Sequence, residues 1–236
     1  MPQAAYVLHR RDYQESSLLV DLLTVNEGRV SVIAKGAKRN KNPWRAVLQA
    51  FNPLQVEYSG RHDLKTLTLA ESPGTPLSLS SHYLYSGFYL NELLQRLLPQ
   101  YAEVSELFLA YESALSALAK KQDIETVLRW FEWQLLQQLG HAFDWRSEAE
   151  TGITLDQQAH CYFDPERGFL HENPMPDATP LDTQLVMSLE QLSQPPLVSD
   201  QVLDPAQRKL CKLIMREALA IHLGTKPLRS RELFKR

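Results

Sequence analysis

Apolar and polar positions change period once along the chain. Through about residue 75 they alternate with the period of two expected of half-buried strands. AAYVLHR is a short apolar run, and SSLLVDLLTV is apolar on both faces apart from Asp21. Asn26-Glu27-Gly28 supplies a turn, and RVSVIAKG follows as a β-branched hairpin partner. A second hairpin places Val56 and Tyr58 before the loop Ser59-Gly60-Arg61-His62-Asp63, with Leu67 and Leu69 after it. Five short strands in so few residues predict a small closed barrel, and the five-stranded OB barrel has that size.

From Ser80 the period becomes 3.6. SSHYLYSGFYLNELLQRLLP predicts a helix with serine caps that stops at Pro99. YAEVSELFLAYESALSALAKK carries Val104, Leu107, Phe108, Tyr111, Leu115 and Leu118 along one stripe. Asp123 caps a third helix that ends at Gly140. Short connections join the three as an antiparallel bundle. Residues 141–180 read as irregular. A short helix over about 182–193 and a longer one begun by Asp204-Pro205 and stopped by Gly224 complete the chain. The fold class is α+β, in four parts: a barrel over 1–78, a helical bundle over 79–142, an irregular acidic lobe over 143–180, and C-terminal helices with a basic tail over 181–236 packing on the helical part.

The formal net charge of the 236 residues is -3, yet the charge is unevenly placed. Residues 28–56 contain no acid and carry Arg29, Lys35, Lys38, Arg39, Lys41 and Arg45, with Trp44 inside the run and Phe51 after it. A single-sign stretch among Gly, Asn and Pro suits a phosphate backbone, and the aromatics offer faces for bases. It equally suits a solvated loop between strands. Positions 147–204 hold eleven acids against one base, Arg167, and so repel phosphate. The tail 224–236 is basic again.

Two cysteines, Cys161 and Cys211, argue against a disulfide framework and fit a reducing compartment. No apolar run approaches the roughly 20 residues of a membrane span, and the N-terminus has no signal-length apolar core. A soluble, cytoplasmic protein is expected. There is no G-x-S-x-G, H-E-x-x-H or G-x-x-x-x-G-K-[ST], so no catalytic residues, cofactor or ATP site are assigned. His141, His160, Cys161, His171 and Glu172 lack the paired spacing of a structural zinc site. On the third helix Trp130, Phe131 and Trp133 cannot share one side. Either they are core, or one lies exposed beside Arg129 as a receptor for a peptide carboxylate.

ESSLLVDLLTVNEGRVSVIAKGAKR at 15–39, LQAFNPLQVEYSGRHDLKTLTLAE at 48–71, YLNELLQRLLP at 89–99 and GTKPLRSRELF at 224–234 together resemble the RecO family of DNA repair and recombination mediators. The resemblance spans nearly the whole chain. It implies an N-terminal OB barrel, a helical domain and a third lobe that binds zinc in many members. It also implies a non-catalytic protein that binds single- and double-stranded DNA, anneals complementary strands, contacts the C-terminal tail of single-stranded-DNA-binding protein, and works with RecR to load the recombinase. Without it, an RNA-binding or ribosome-associated OB module fits the barrel and basic run as well.

The chain departs from the zinc-bearing pattern. Glu148 and Thr151 stand near the first cysteine pair, and Gly168-Phe-Leu-His171-Glu-Asn-Pro174 replaces G-x-x-C-x-x-C. The lobe is therefore expected to have lost its metal. The DNA-binding candidates are Lys35, Lys38, Arg39, Lys41 and Arg45, then Arg10, Arg11, Arg29 and Arg61, with Trp44 as a base platform and Lys226, Arg229 and Arg231 in the tail. Arg129 and Trp130 are the candidates for the partner tail.

Overall fold

The computed structural model describes residues 1–194 and 202–233, with the Arg231 side chain outside the described part. Contacts gather the chain into two compact units, 1–121 with 227–236, and 122–226. This grouping cuts through the expected bundle, since its first two helices belong with the barrel and its third with the acidic lobe.

The first unit is built on β1 (Gln3–Tyr13), β2 (Ser17–Thr24), β3 (Gly28–Ala34), β4 (Leu54–Ser59) and β5 (Leu64–Glu71). They close in the order β1-β2-β3-β5-β4, with β3 and β5 parallel and β1 returning to β4. This is the OB barrel expected from the alternation. Ala5, Val7, Leu18, Val20, Leu22, Val30, Val32, Leu54, Val56 and Leu67 fill its interior. Gly28 ends the β2–β3 turn at φ +62°, and a Cβ there would stand 2.2 Å from the Ala102 carbonyl oxygen, so only glycine fits.

The outer faces of β1 and β2 are apolar because helices cover them. α1 (Trp44–Val47) is a single turn between β3 and β4, while α2 (Ser81–Leu97) and α3 (Ser105–Ala119) pack outside the barrel. Tyr6 meets Phe108 and Tyr111 at 5.6 and 5.3 Å between centroids. The register of β1 on β2 slips between Val7 and His9, leaving Leu8 as a bulge. Asn91 of α2 donates to the Val7 and Leu8 carbonyls at 3.2 and 3.0 Å, and Tyr111 donates to Asn91 at 2.5 Å. Carbonyls buried without such a partner would cost about 1–3 kcal/mol each, so this network fixes α2 and α3 to the bulge.

The tail docks on α2. Leu228 is buried, and α7 (Ser230–Leu233) starts against the Glu92 carboxylate. Glu92 accepts from the Arg229 amide, the Ser230 amide and the Ser230 hydroxyl at 2.9, 2.8 and 2.6 Å. Arg96 donates to the Pro227 carbonyl.

In the second unit α4 (Ile124–Gln138) is capped by Asp123, whose side chain accepts from the Thr126 amide. The lobe holds a small sheet missed as irregular: β6 (His160–Asp164) between β7 (Gly168–Leu170) and β8 (Leu181–Asp182). α5 (Thr183–Met187), a 3-10 turn over Ser188–Ser193 and α6 (Pro205–Leu223) follow. α6 begins with a full capping box between Asp204 and Gln207. Trp133, Phe143, Trp145, Phe163 and Phe169 form one aromatic cluster with centroids 4.9–5.7 Å apart. No described helix is long and apolar enough to cross a membrane.

Candidate nucleic-acid interface

The basic run is an ordered turn series against the barrel. Gly36 adopts φ +72°, and the Arg39 amide donates to its carbonyl at 3.0 Å. Asn42 Nδ2 donates to that same carbonyl at 3.1 Å, while Asn42 Oδ1 accepts from the Trp44 amide at 2.8 Å. The Lys38 amide is tied to the Ser16 carbonyl at 2.9 Å. These bonds carry Lys38 and α1 to the far end of β1, where four exposed positions follow the bulge.

The result is an open cleft of about 630 Å³ lined by Arg10, Arg11, Asp12, Leu18, Ala37, Lys38, Arg45 and Gln49. Its floor is apolar, since Leu18 and Ala37 are buried, and its walls carry four cations against one carboxylate. Asp12 pairs with Lys38 at 2.7 Å, which leaves the arginines as the unneutralised charge. Arg10 is held in place by donating to the Leu48 carbonyl at 2.9 Å, and Arg45 by donating to Asn40 at 3.2 Å. Fixed, planar guanidinium groups at an open surface are suited to phosphate oxygens.

The structure brings together only part of the candidate set. Lys35, Arg39 and Lys41 are exposed but do not line the cleft, and neither does Arg61 on the β4–β5 loop. Arg29 is half-buried and donates to the Leu98 carbonyl at 2.8 Å, fastening α2 to the barrel. Trp44 is half-buried with one side packed against the barrel core, and Phe51 is 4% exposed, so Phe51 presents no free face for a base. Lys226 and Arg229 are exposed, in different units. Gln49 was missed. Its place in the cleft depends on α1 folding back beside β1, which no local pattern announces.

The receptor expected at Arg129 and Trp130 needs correction. Trp130, Phe131 and Trp133 are all buried, and Trp130 is 1% exposed with its indole N–H donating to the Gln194 carbonyl. Arg129 is 7% exposed and forms an ion pair with the fully buried Glu132 at 3.0 Å. A carboxylate arriving from solvent finds neither an open ring nor an accessible cation there.

In the lobe, Thr151 donates to Glu148 through its hydroxyl at 2.6 Å and its amide at 2.7 Å. The two positions nearest the zinc-bearing cysteine pair thus close on each other. Among the described residues no three His, Cys, Asp or Glu gather as a metal would require. The residues present do not fit zinc.

The barrel topology and the cationic cleft define the class: an OB-barrel protein, extended by helices, whose outer wall suits a polyanion. Comparison with known proteins narrows this. The family model Recombination protein O N terminal matches residues 1–74, and Recombination protein O C terminal matches residues 80–232. DNA repair protein RecO of Idiomarina loihiensis is 51% identical over 237 residues, covering 100% of this chain and 98% of its own. Those of Methylococcus capsulatus and Haemophilus influenzae (strain ATCC 51907) are 43% and 42% identical, each covering 98% of this chain. The chain belongs to the RecO family, and with it to DNA repair and recombination.

Proposed function

We propose that the chain is a non-catalytic recombination mediator whose barrel cleft holds the phosphate backbone of single- and double-stranded DNA without reading sequence. The observation that carries this is the convergence of Arg10 and Arg11 from β1 with Lys38 and Arg45 from the following loop and turn on one apolar floor. Lys35, Arg39 and Lys41 flank the cleft in sequence and extend the field around it, and the exposed tail base Arg229 of the same unit adds to it. Annealing follows physically, because cations that neutralise two strands reduce their repulsion and pairing then needs no ATP. Single-stranded-DNA-binding protein and RecR are the proposed protein partners in loading the recombinase, with the tail receptor placed elsewhere than Arg129 and Trp130.

Competition among single-stranded DNA, duplex DNA and structured RNA for one labelled oligonucleotide tests the reading. Both DNA forms should displace the probe, and mixed complementary strands should anneal faster with protein and no ATP. Preference for structured RNA over both DNA forms would instead support an RNA-binding module.

A further inference from the structure

The second unit contains a groove that the DNA reading leaves unused. Phe163, Leu181, Leu213 and Ile214 form an apolar trough of about 300 Å³ bordered by Met175, Asp177 and Glu217. Met175 is 60% exposed and Leu213 41% exposed, although the surrounding Leu181 and Ile214 are buried. Met at such a rim adapts to varied apolar side chains.

The charges in the groove specify its occupant. Glu217 is half-buried beside these apolar walls, and among the described residues no hydrogen bond or ion pair reaches its carboxylate. Burial without a counter-charge pushes that carboxyl above its ordinary pKa. Asp177, on the same rim, adds a second acid, and among the described residues no Lys or Arg lines the groove. A polyanion or an acidic peptide is repelled here. A cation brought in beside an apolar side chain would meet both the trough and the uncompensated carboxylate.

We propose that this groove docks a basic, apolar peptide segment of a protein partner, with an aliphatic or aromatic side chain in the trough between Met175 and Leu213 and a lysine or arginine on Glu217. The groove is distinct from the barrel cleft in position and opposite to it in charge, so DNA and such a partner are held by separate surfaces of one chain.

The test is fluorescence anisotropy on the full chain with a labelled synthetic peptide of alternating Leu and Lys, beside the matching Leu and Glu peptide. Saturable binding of the Leu–Lys peptide alone is expected. E217Q, L213S and M175S should each weaken it by about five- to tenfold. E172Q, which removes an exposed acid of the same stretch outside the groove, should leave it within about twofold. The thermal transition of each variant is recorded alongside; Leu213 and Glu217 share α6 while Met175 lies outside it, so a fold defect in the helix leaves M175S to decide. Equal binding of the Leu–Glu peptide, equal loss in E172Q, or no saturable binding of either peptide would overturn the proposal.

Discussion

Replacing Arg129 by Ala should unfold the second unit more readily instead of emptying a binding pocket. Arg129 and Glu132 lie one turn apart on α4, their side chains 8% and 0% exposed and their charges 3.0 Å apart. Removing the arginine leaves a carboxylate in the interior without its counter-charge, at a cost of about 3–5 kcal/mol. With a urea dependence of about 2 kcal/mol per molar, the midpoint falls by roughly 2 M. Tryptophan fluorescence suits the measurement, because Trp130, Trp133 and Trp145 all belong to this unit and only Trp44 to the other. Replacing both partners, Arg129→Met with Glu132→Leu, should restore most of the loss because no lone charge remains. A single variant that unfolds within about 0.5 kcal/mol of wild type, or a double variant no better than the single, would refute this reasoning.

Glu92 gives a pH dependence. Burial alone would raise its carboxyl, but the Ser230 hydroxyl and the Ser230 and Arg229 amides, with Arg96 nearby, hold it below the ordinary value of 4.5. A depressed carboxyl stabilises above its unfolded pKa and loses that contribution as pH falls through the folded value. Wild type should therefore exceed Glu92→Gln by about 1 kcal/mol at neutral pH, and the melting curves should converge on acidification below about pH 4; parallel curves would argue against the tail latch. In the lobe, Thr151→Val should cost about 1–2 kcal/mol through the lost hydroxyl bond to Glu148, the amide bond remaining, while a chelator leaves the melting temperature unchanged; one zinc per chain by elemental analysis would contradict this. Burial pushes the Cys161 thiol up to about 12, aided by Asp182, and raises Cys211 as well. A thiol reagent at pH 8 should find both only after denaturant, and a fast native reaction would show that one is accessible.

The barrel was legible because alternation and turn residues act locally. Leu18, Val20, Leu22, Val30 and Val32 fall inside it as their period of two requires. The α3 stripe from Val104 to Leu118 is likewise buried throughout. The lobe sheet was not legible, since β7 and β8 span only Gly168–Leu170 and Leu181–Asp182, too short to show a period. α4 misled for a different reason. Its Arg129 and Glu132 look like surface residues, yet spaced three apart they neutralise each other and allow the helix to be buried on nearly every side. The charges of the candidate site could be read from the sequence. Their selection could not, because Arg10 and Arg11 meet Lys38 and Arg45 only after the β1 bulge and the ordered Gly36–Asn42 turns are in place.

The central claim is that the cleft, and not the whole basic run, carries the phosphate backbone. Affinity for single-stranded DNA measured across a salt series tests it most directly, comparing wild type with Arg10→Ala, Arg11→Ala and Arg45→Ala combined, and with Lys35→Ala, Arg39→Ala and Lys41→Ala combined. Each lost phosphate contact removes about 0.7 from the slope of log affinity against log salt. The cleft variant should lose about 2 from that slope and weaken binding alike for all sequences, while the outer variant loses less. An unchanged slope in a cleft variant that still melts like wild type would contradict the account.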